Sequence, residues 1–564
     1  MNPAPQNIRR ALLALAVLLL VLSLHAVAFA NAADDEQAVK AMDELLAKAY
    51  PPGGPGATVI VVKGGKTLLR KGYGMADLEL GVAAEPDMVF RLGSVTKQFT
   101  ATSILMLVEQ GKLSLSDDIT KFLPDYPTRG RTITIEHLLT HTSGIKSYTS
   151  IPAWFALWRK DMTVTELIDL FKNEPMDFAP GEQWLYNNSG YILLGAIIEK
   201  VSGQTYEQFV RKNIFEPLGM KHSFYGSATR VIPRRVPGYT MSRDGIENAQ
   251  YISMTQPYAA GSLLSNVDDL ALWDAALYTD RVVKQASLQK AFTPYVLKDG
   301  TPTGYGYGWG KTSYEGHTII EHGGGIHGFS TMVIHMPDDH VFIALLTNRD
   351  YETPDDIALR IAALAIGKPF RPAVAVTVPA NELEPLVGVY QINEKETYVV
   401  KLDGGRLFMQ RNAGRSNEVF PLSATEFFYD KESLDRLTFS KDATGKVTGL
   451  KVTRYFGPPT VALKTDKPLP KMKEAIKLDS SVLERYVGVY EIVPTFSITV
   501  SHKGEGLFAQ ATGQAEFEIF PESEKLFFFK VVEAQLEFQT GADGKATGLI
   551  LHQGGQDMPA KKVK

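Results

Sequence analysis

Apolar residues recur along this chain with two different periods, and the switch between them outlines its architecture. Period-two runs at residues 58–62 and 67–73, joined by Lys63-Gly64-Gly65-Lys66, predict a β-hairpin. Helical spacing then dominates, predicting helices over 94–110, 163–172, 191–201, 206–214 and 268–278. Strand patterns return at 317–321, 329–335 and 341–346, the last two joined at Met336-Pro337-Asp338-Asp339, and a helix is predicted over 355–365. Strands at both ends of a mainly helical stretch predict an α+β domain. The terminal strands should meet in one antiparallel sheet flanked by helices, with a helical region inserted and a cleft between the two.

Beyond Lys368-Pro369-Phe370-Arg371-Pro372 a proline- and valine-rich stretch reads as an extended linker, and short alternating runs follow. An internal repeat appears there. Val387-Gly388-Val389-Tyr390 recurs as Val487-Gly488-Val489-Tyr490, and Phe420-Pro421 as Phe520-Pro521. Gly445-Lys446-Val447-Thr448-Gly449-Leu450 returns as Gly544-Lys545-Ala546-Thr547-Gly548-Leu549. Two copies of one β module explain this, each expected to be a small up-and-down antiparallel barrel. The expected division is a main domain at 33–370, a linker at 371–382, barrels at 383–466 and 481–564, and a second linker at 467–480.

The N-terminus bears on location. Arg9 and Arg10 precede an apolar run over 11–24 with only Ser23 polar, and Ala28-Phe29-Ala30-Asn31-Ala32 offers small residues at cleavage spacing. This is the pattern of a secretory signal peptide over 1–32, with an uncleaved anchor as the rival. The expected location is periplasmic or extracellular, without stable membrane insertion after cleavage. Cysteine is absent, so neither disulfides nor a lipidated N-terminal cysteine is available. At 564 residues, 44% hydrophobic and 22% charged, the chain has ample core-forming material. Its formal charge of -4 becomes more negative when the two arginines leave, and no basic stripe appears, which argues against nucleic acid as a partner.

The candidate chemistry lies in three motifs: Ser94-Val95-Thr96-Lys97, Tyr186-Asn187-Asn188 and His322-Gly323-Gly324. Ser-x-x-Lys also occurs at Ser143/Lys146 and Ser287/Lys290, but Ser143 precedes Gly144 in a loop and Ser287 sits in an amphipathic, exposed helix. Ser94 instead opens a helix with a largely apolar face, where free backbone N–H groups favour developing negative charge. Lys97 lies one turn on, on the same face. A serine hydroxyl is a poor nucleophile until a neighbour takes its proton, and a lysine can do so only when neutral, as desolvation promotes. Tyr186 is the second candidate base, and the sequence leaves the choice between Lys97 and Tyr186 open. Of the 23 tyrosines it alone has Asn two residues on. It lies in a turn-rich stretch leading into the next helix, where Asn188 could also serve only as an N-cap. His322 is expected to end a short strand and open a glycine-rich turn. Glycines there would let a substrate backbone lie against the sheet edge. His137 and His141, at i and i+4, could bind a metal on a helix, but Leu138 stands where a zinc protease would carry Glu, so structural roles are expected. No Walker-type loop occurs, and no metal or organic cofactor is implied.

Supporting stretches run in order through the first ~370 residues: Phe90-Arg91-Leu92-Gly93 before Ser94, His137-Leu138-Leu139-Thr140-His141-Thr142-Ser143-Gly144, and Ile214-Phe215-Glu216-Pro217-Leu218-Gly219-Met220. Ala260-Gly261-Ser262-Leu263-Leu264-Ser265, Tyr307-Gly308-Trp309-Gly310 and Gly325-Ile326-His327-Gly328-Phe329 extend the match. This region resembles the serine β-lactamase-related family of class C β-lactamases, D-alanyl-D-alanine carboxypeptidases, D-aminopeptidases and related esterases. The resemblance implies a β-lactamase/transpeptidase-like fold, with Ser94 as acylated nucleophile, Lys97 as its proton partner and Tyr186 activating the deacylating water. It implies that Asn188 holds the substrate amide and Lys97, and that the backbone N–H groups of Ser94 and Gly325 form an oxyanion hole. His322 takes the position where class C β-lactamases usually carry Lys-Thr-Gly. That departure looks more like the peptidase and D-amino-acid hydrolase branches. The C-terminal repeats resemble lipocalin-like barrels that follow some catalytic domains of this kind, where they restrict the cleft or mediate homo-oligomers.

Two classes of function follow. The first is a secreted serine hydrolase cleaving a small amide or ester, such as a D-amino-acid-containing or cell-wall peptide, with an esterase or weak β-lactamase as variants. The second is a non-catalytic cell-wall or ligand-binding protein that keeps the fold. Retention of Lys97, Tyr186 and His322 favours the enzyme.

Overall fold

The computed structural model describes residues 34–242, 245–393, 396–412, 414, 416–431, 433–455, 459–469, 475–493, 496–512, 514, 516–530, 532, 534–553 and 556–564. The signal-peptide pattern over 1–32 lies outside the described residues. Two compact units divide the chain, one running to Phe370 and the other from Arg371 onward, with residues 242–245 assigned to the second.

In the first unit, helix α1 (34–49) leads into strands β1 (Ala57–Lys63) and β2 (Lys66–Tyr73), which pair as the predicted hairpin. The chain then passes through helices α2 (Thr96–Glu109), α3 (Asn188–Ser202) and α4 (Val267–Leu277). It returns to strands β3 (Gly310–Tyr314), β4 (His317–Ile326), β5 (Phe329–Met336) and β6 (Val341–Thr347), and ends in helix α5 (Asp355–Ala365). The six strands form one sheet in the order β3-β4-β5-β6-β1-β2, antiparallel throughout. Chain ends meet at its centre, where Ala57 pairs with Thr347 and Lys63 with Val341. Every residue of β5 and β6 is buried, as expected of strands covered on both faces.

Helix α2 is buried from Thr96 to Leu107, so it is the central helix rather than a surface one. A 3-10 turn over Gly93–Val95 precedes it, so Ser94 stands in a tight turn ahead of the α-helix rather than inside it. Helix α3 begins at Asn188, three residues earlier than its apolar pattern suggests. Asn187 caps it through a 2.8 Å bond from Gly190 N, so the alternative in which Asn188 serves only as the cap is off by one residue. The predicted helix over 206–214 is broken: an α turn at Tyr206–Val210 passes into a π turn at Arg211–Phe215. Strand β4 does not end at His322. It runs on through Gly323, Gly324 and Gly325 to Ile326, so the glycines lie within a strand, and the chain reverses only at His327 and Gly328.

The second unit holds two closed barrels of eight strands each, antiparallel and paired in chain order. The first runs from Gly388–Gln391 to Thr460–Thr465 and the second from Gly488–Val493 to Gln556–Lys562. The closing strand of the first barrel ends at Thr465. The two cores correspond. Tyr390 donates to the Leu386 carbonyl at 2.6 Å and Tyr490 to that of Tyr486 at 2.6 Å. Neither stretch leading into a barrel hangs free, since Val376 N donates to Pro421 O and Ile476 N to Pro521 O.

Candidate active site

Three elements converge on Ser94. The short strand Phe90–Arg91 pairs with Leu263–Ser265 from the helical region, and Leu92 N donates to Leu263 O at 2.9 Å. On the sheet side, β3 accompanies β4 only as far as Glu321, so residues 322–326 have a sheet partner on one side alone. The turn carrying Ser94 fills the other side. There Thr331 Oγ1 donates to Leu92 O at 2.9 Å, and a Cβ on Gly324 would stand 2.0 Å from that same carbonyl. Gly93, at φ +54°, meets Gly325 closely enough that a Cβ would lie 2.9 Å from the Gly325 nitrogen. Glycine is therefore a steric requirement at both positions, and it brings the Gly325 amide against the Ser94 turn.

Lys97 is fully buried on α2, and its Nζ has three neighbours: Ser94 Oγ at 3.0 Å, Asn188 Oδ1 at 2.9 Å and Ala260 O at 2.9 Å. Burial drives its pKa well below the ordinary lysine range. Two of these neighbours are carbonyl oxygens that can only accept. A neutral amine gives its two N–H groups to them and keeps a lone pair facing Ser94 Oγ, the arrangement needed to take the serine proton. Asn188 is held in turn by Nδ2 donating to Thr149 Oγ1 at 3.1 Å.

The Tyr186 ring centroid lies 4.7 Å from Lys97 Nζ, and its hydroxyl is buried with no hydrogen-bond partner of good geometry among the described residues. Burial raises its pKa above the usual phenol range, and nearby Ser94 opposes the rise only in part. His322 lies one layer back, its ring 6.1 Å from that of Tyr186. Its Nδ1 is 2.6 Å from Gly323 O, which can only accept, so the proton sits on Nδ1 and Nε2 accepts from Tyr305 Oη at 2.8 Å. Burial, with Lys97 adding to it, lowers the His322 pKa to about 3, so the ring is neutral. The sequence motifs thus come together, but His322 reaches Ser94 and Lys97 only through tyrosines.

His141 and Tyr305, neither proposed as a site residue from the sequence, complete this aromatic layer. The His141 ring is 4.3 Å from Tyr186 and 4.7 Å from Tyr305, and its Nδ1 accepts from Asn187 N at 3.1 Å. It follows the helix at φ +60°, whereas His137 remains in the helical turn and closes a capping box with Thr134. The pair does not share a helix face. Ala260 was equally missed, because it contributes a backbone carbonyl.

The cleft over Ser94 has a volume of about 130 Å³ and is lined by Tyr148, Trp154, Ile252, Pro257 and Ile326 together with Thr149, Asn188, Gly325 and His327. Among the described residues, no carboxylate, lysine or arginine lines it. A larger cavity of about 430 Å³ shares His327 with it and contains Arg91 and Arg235, but not Ser94.

Residues 40–368 match the family model described as Beta-lactamase, and residues 372–465 and 472–562 each match a domain of unknown function. Penicillin-binding protein 4* of Bacillus subtilis (strain 168) is 28% identical over 527 residues, covering 90% of this chain and 95% of that protein. The octameric penicillin-binding protein homologue from Pyrococcus abyssi superposes with a TM-score of 0.53 at 26% identity, over 76% of this chain and 99% of its own. The D-amino acid amidase from Ochrobactrum anthropi SV3, solved with L-phenylalanine amide, gives a TM-score of 0.51 at 26% identity, over 59% and 97% of the two chains.

Proposed function

Because the chain belongs to the β-lactamase family and is a serine hydrolase of that family, we propose that it works through an acyl-enzyme on Ser94 and cleaves a small amide or ester whose acyl part is a D-amino acid or a peptide containing one. The observation that carries this reading is Lys97 Nζ, fully buried, 3.0 Å from Ser94 Oγ and held by two obligate acceptors. Ser94 Oγ attacks the carbonyl while its proton passes to Lys97 Nζ. The resulting ammonium is held by Asn188 Oδ1 and Ala260 O. The Gly325 and Ser94 amides face the oxygen that gains charge, a contribution of ~2.7–4 kcal/mol per donor. The Tyr186 hydroxyl, near Ser94 and on the ring that Lys97 Nζ overlies, relays the proton to the leaving group and then orients the deacylating water. His322 is a positioning residue, fixing Tyr186 through ring contact and Tyr305 through its hydrogen bond.

The cleft supports the substrate class. Among the described residues its lining is apolar and aromatic with no ionised side chain, which suits an acyl group with an apolar side chain whose α-nitrogen is neutral or acylated. At the third motif a neutral His322 stands where β-lactamases usually carry a lysine, so no cation awaits a β-lactam carboxylate there. An esterase acting on short acyl chains is the second reading, supported by the small cleft volume. The signal-peptide pattern supports export, and among the described residues no helix is long and apolar enough to cross a membrane.

The test compares a D-alanine p-nitroanilide, its L-enantiomer, a short p-nitrophenyl ester and a chromogenic cephalosporin. The reading expects the D-anilide to be cleaved at least ~10-fold faster than the L form, a discrimination of ~1.4 kcal/mol, and the cephalosporin to be the poorest substrate. Equal rates for both enantiomers with a fast ester would replace the peptide reading by the esterase.

A further inference from the structure

The two barrels share a fold and a register but differ at one end of the interior. In the second barrel that end encloses a cavity of about 200 Å³ bordered by Phe496, Ile498, Ala509, Ala511, Phe529 and Leu551, with Gln514 and Gln553 also lining it. The opposite end is occupied by the helix and turn that precede the barrel, through Leu483 and Tyr486, the latter stacked on Phe538 at 4.5 Å.

Matching registers show which residues correspond. Val400 pairs with Met409 and Tyr398 with Arg411 in the first barrel, as Val500 pairs with Ala509 and Ile498 with Ala511 in the second. Leu437 pairs with Val452 in the first, as Leu536 pairs with Leu551 in the second. Continuing that ladder by two pairs places Asp435 and Arg454 where the second barrel has Ala534 and Gln553. The first barrel therefore carries bulkier and charged side chains at this end. Arg411 lies over the Tyr398 ring at 5.9 Å and forms a 2.8 Å salt bridge with Glu396, whose counterpart is Phe496. The opening in the second barrel comes from the choice of side chains and not from the fold.

We propose that this end of the second barrel is a binding site, separate from Ser94, for a small uncharged molecule with an aromatic ring or short alkyl chain as its body and one hydrogen-bonding group. The volume suits this class: an apolar cavity of about 150 Å³ already stays dry and takes up benzene. The lining excludes charge. Among the described residues it contains no Asp, Glu, Lys or Arg, so an ionised ligand would lose its hydration with nothing to replace it. Gln514 and Gln553 provide amides for the single polar group.

The experiment is a fluorescence titration of the full chain with 1-aminonaphthalene, neutral at pH 7, beside 1-naphthalenesulfonate of the same shape. The proposal expects saturable binding of the amine at one site, and at least tenfold weaker binding of the sulfonate. Ala509→Met, which installs the first barrel's residue, should weaken amine binding at least tenfold while leaving hydrolysis at Ser94 unchanged. Ala511→Met provides the second variant should Ala509→Met lose its native circular dichroism. No saturable binding, equal binding of the sulfonate, or full affinity in a folded cavity-filling variant would each overturn the proposal.

Discussion

Ser94 and Ser143 each stand three residues before a lysine, and the two pairs are built for opposite ends. Lys146 extends to Asp177 at 2.8 Å with a third of its side chain exposed, and Ser143 Oγ accepts from Ile145 N at 3.3 Å in a turn closed by Gly144. That lysine makes use of its charge. Lys97 is fully buried with no carboxylate among its hydrogen-bond partners, and its nitrogen meets two carbonyl oxygens and one hydroxyl. The comparison teaches that the motif supplies only the spacing. Burial and the partners' acceptor character decide whether the lysine is an ion or a base.

The largest expected effect separates the two serines. Ser94→Ala should lower kcat/KM at least ~1000-fold, whereas Ser143→Ala should leave it within a factor of two, both read with the preferred p-nitroanilide or ester. Next come the lysines. Lys97→Met should reduce kcat/KM by ~100 to 10,000-fold, while Lys146→Met removes only a partly exposed ion pair of ~0–1 kcal/mol, checked by urea unfolding. Since burial lowers the Lys97 pKa, the neutral base persists below the ordinary lysine range. The kcat/KM profile should therefore hold to pH values below the ordinary lysine range and fall only further on the acid side, where Lys97 takes up a proton.

A smaller effect tests the close approach at the sheet edge. Gly324→Ala places a methyl 2.0 Å from Leu92 O, which must push the Ser94 turn away from β4. A ~10 to 100-fold loss in kcat is expected, the scale of a misplacement of about 1 Å, measured alongside Tm to show that the fold persists. The smallest is a stability effect. Burial first, and then Asp355, raise the pKa of Glu321 from its ordinary 4.5 to about 8. The folded state thus keeps a proton that the unfolded chain releases, so stability is full below pH 4.5 and declines as pH rises towards about 8. Glu321→Gln should remove that decline, read as urea midpoints at pH 5 and pH 8 that differ less than in the unaltered protein.

Much of this could be read from the chain. The hairpin at 58–73 and the strands from His317 onward announced a sheet built from both ends of the domain, and β1 pairs with β6 as that required. The barrels were legible because the same turns and aromatic positions recur. What escaped had physical reasons. Three consecutive glycines carry no hydrophobic pattern, so β4 was expected to stop at His322. Asn187 and Asn188 are adjacent amides of equal capping ability, and only the backbone decides between them. That Ser94, Lys97, Tyr186 and Asn188 would come together was legible because the pattern is carried by side chains at fixed spacing. Ala260 contributes a carbonyl that any residue could supply, and Tyr305 and His141 look like ordinary core aromatics.

The most direct measurement is the intact mass of the protein quenched during turnover of p-nitrophenyl acetate, followed by peptide mapping. The account predicts the addition of one acetyl group, located on the peptide holding Ser94 and absent from Ser94→Ala. An acetyl group on any other residue, or an active enzyme that never carries one, would contradict it.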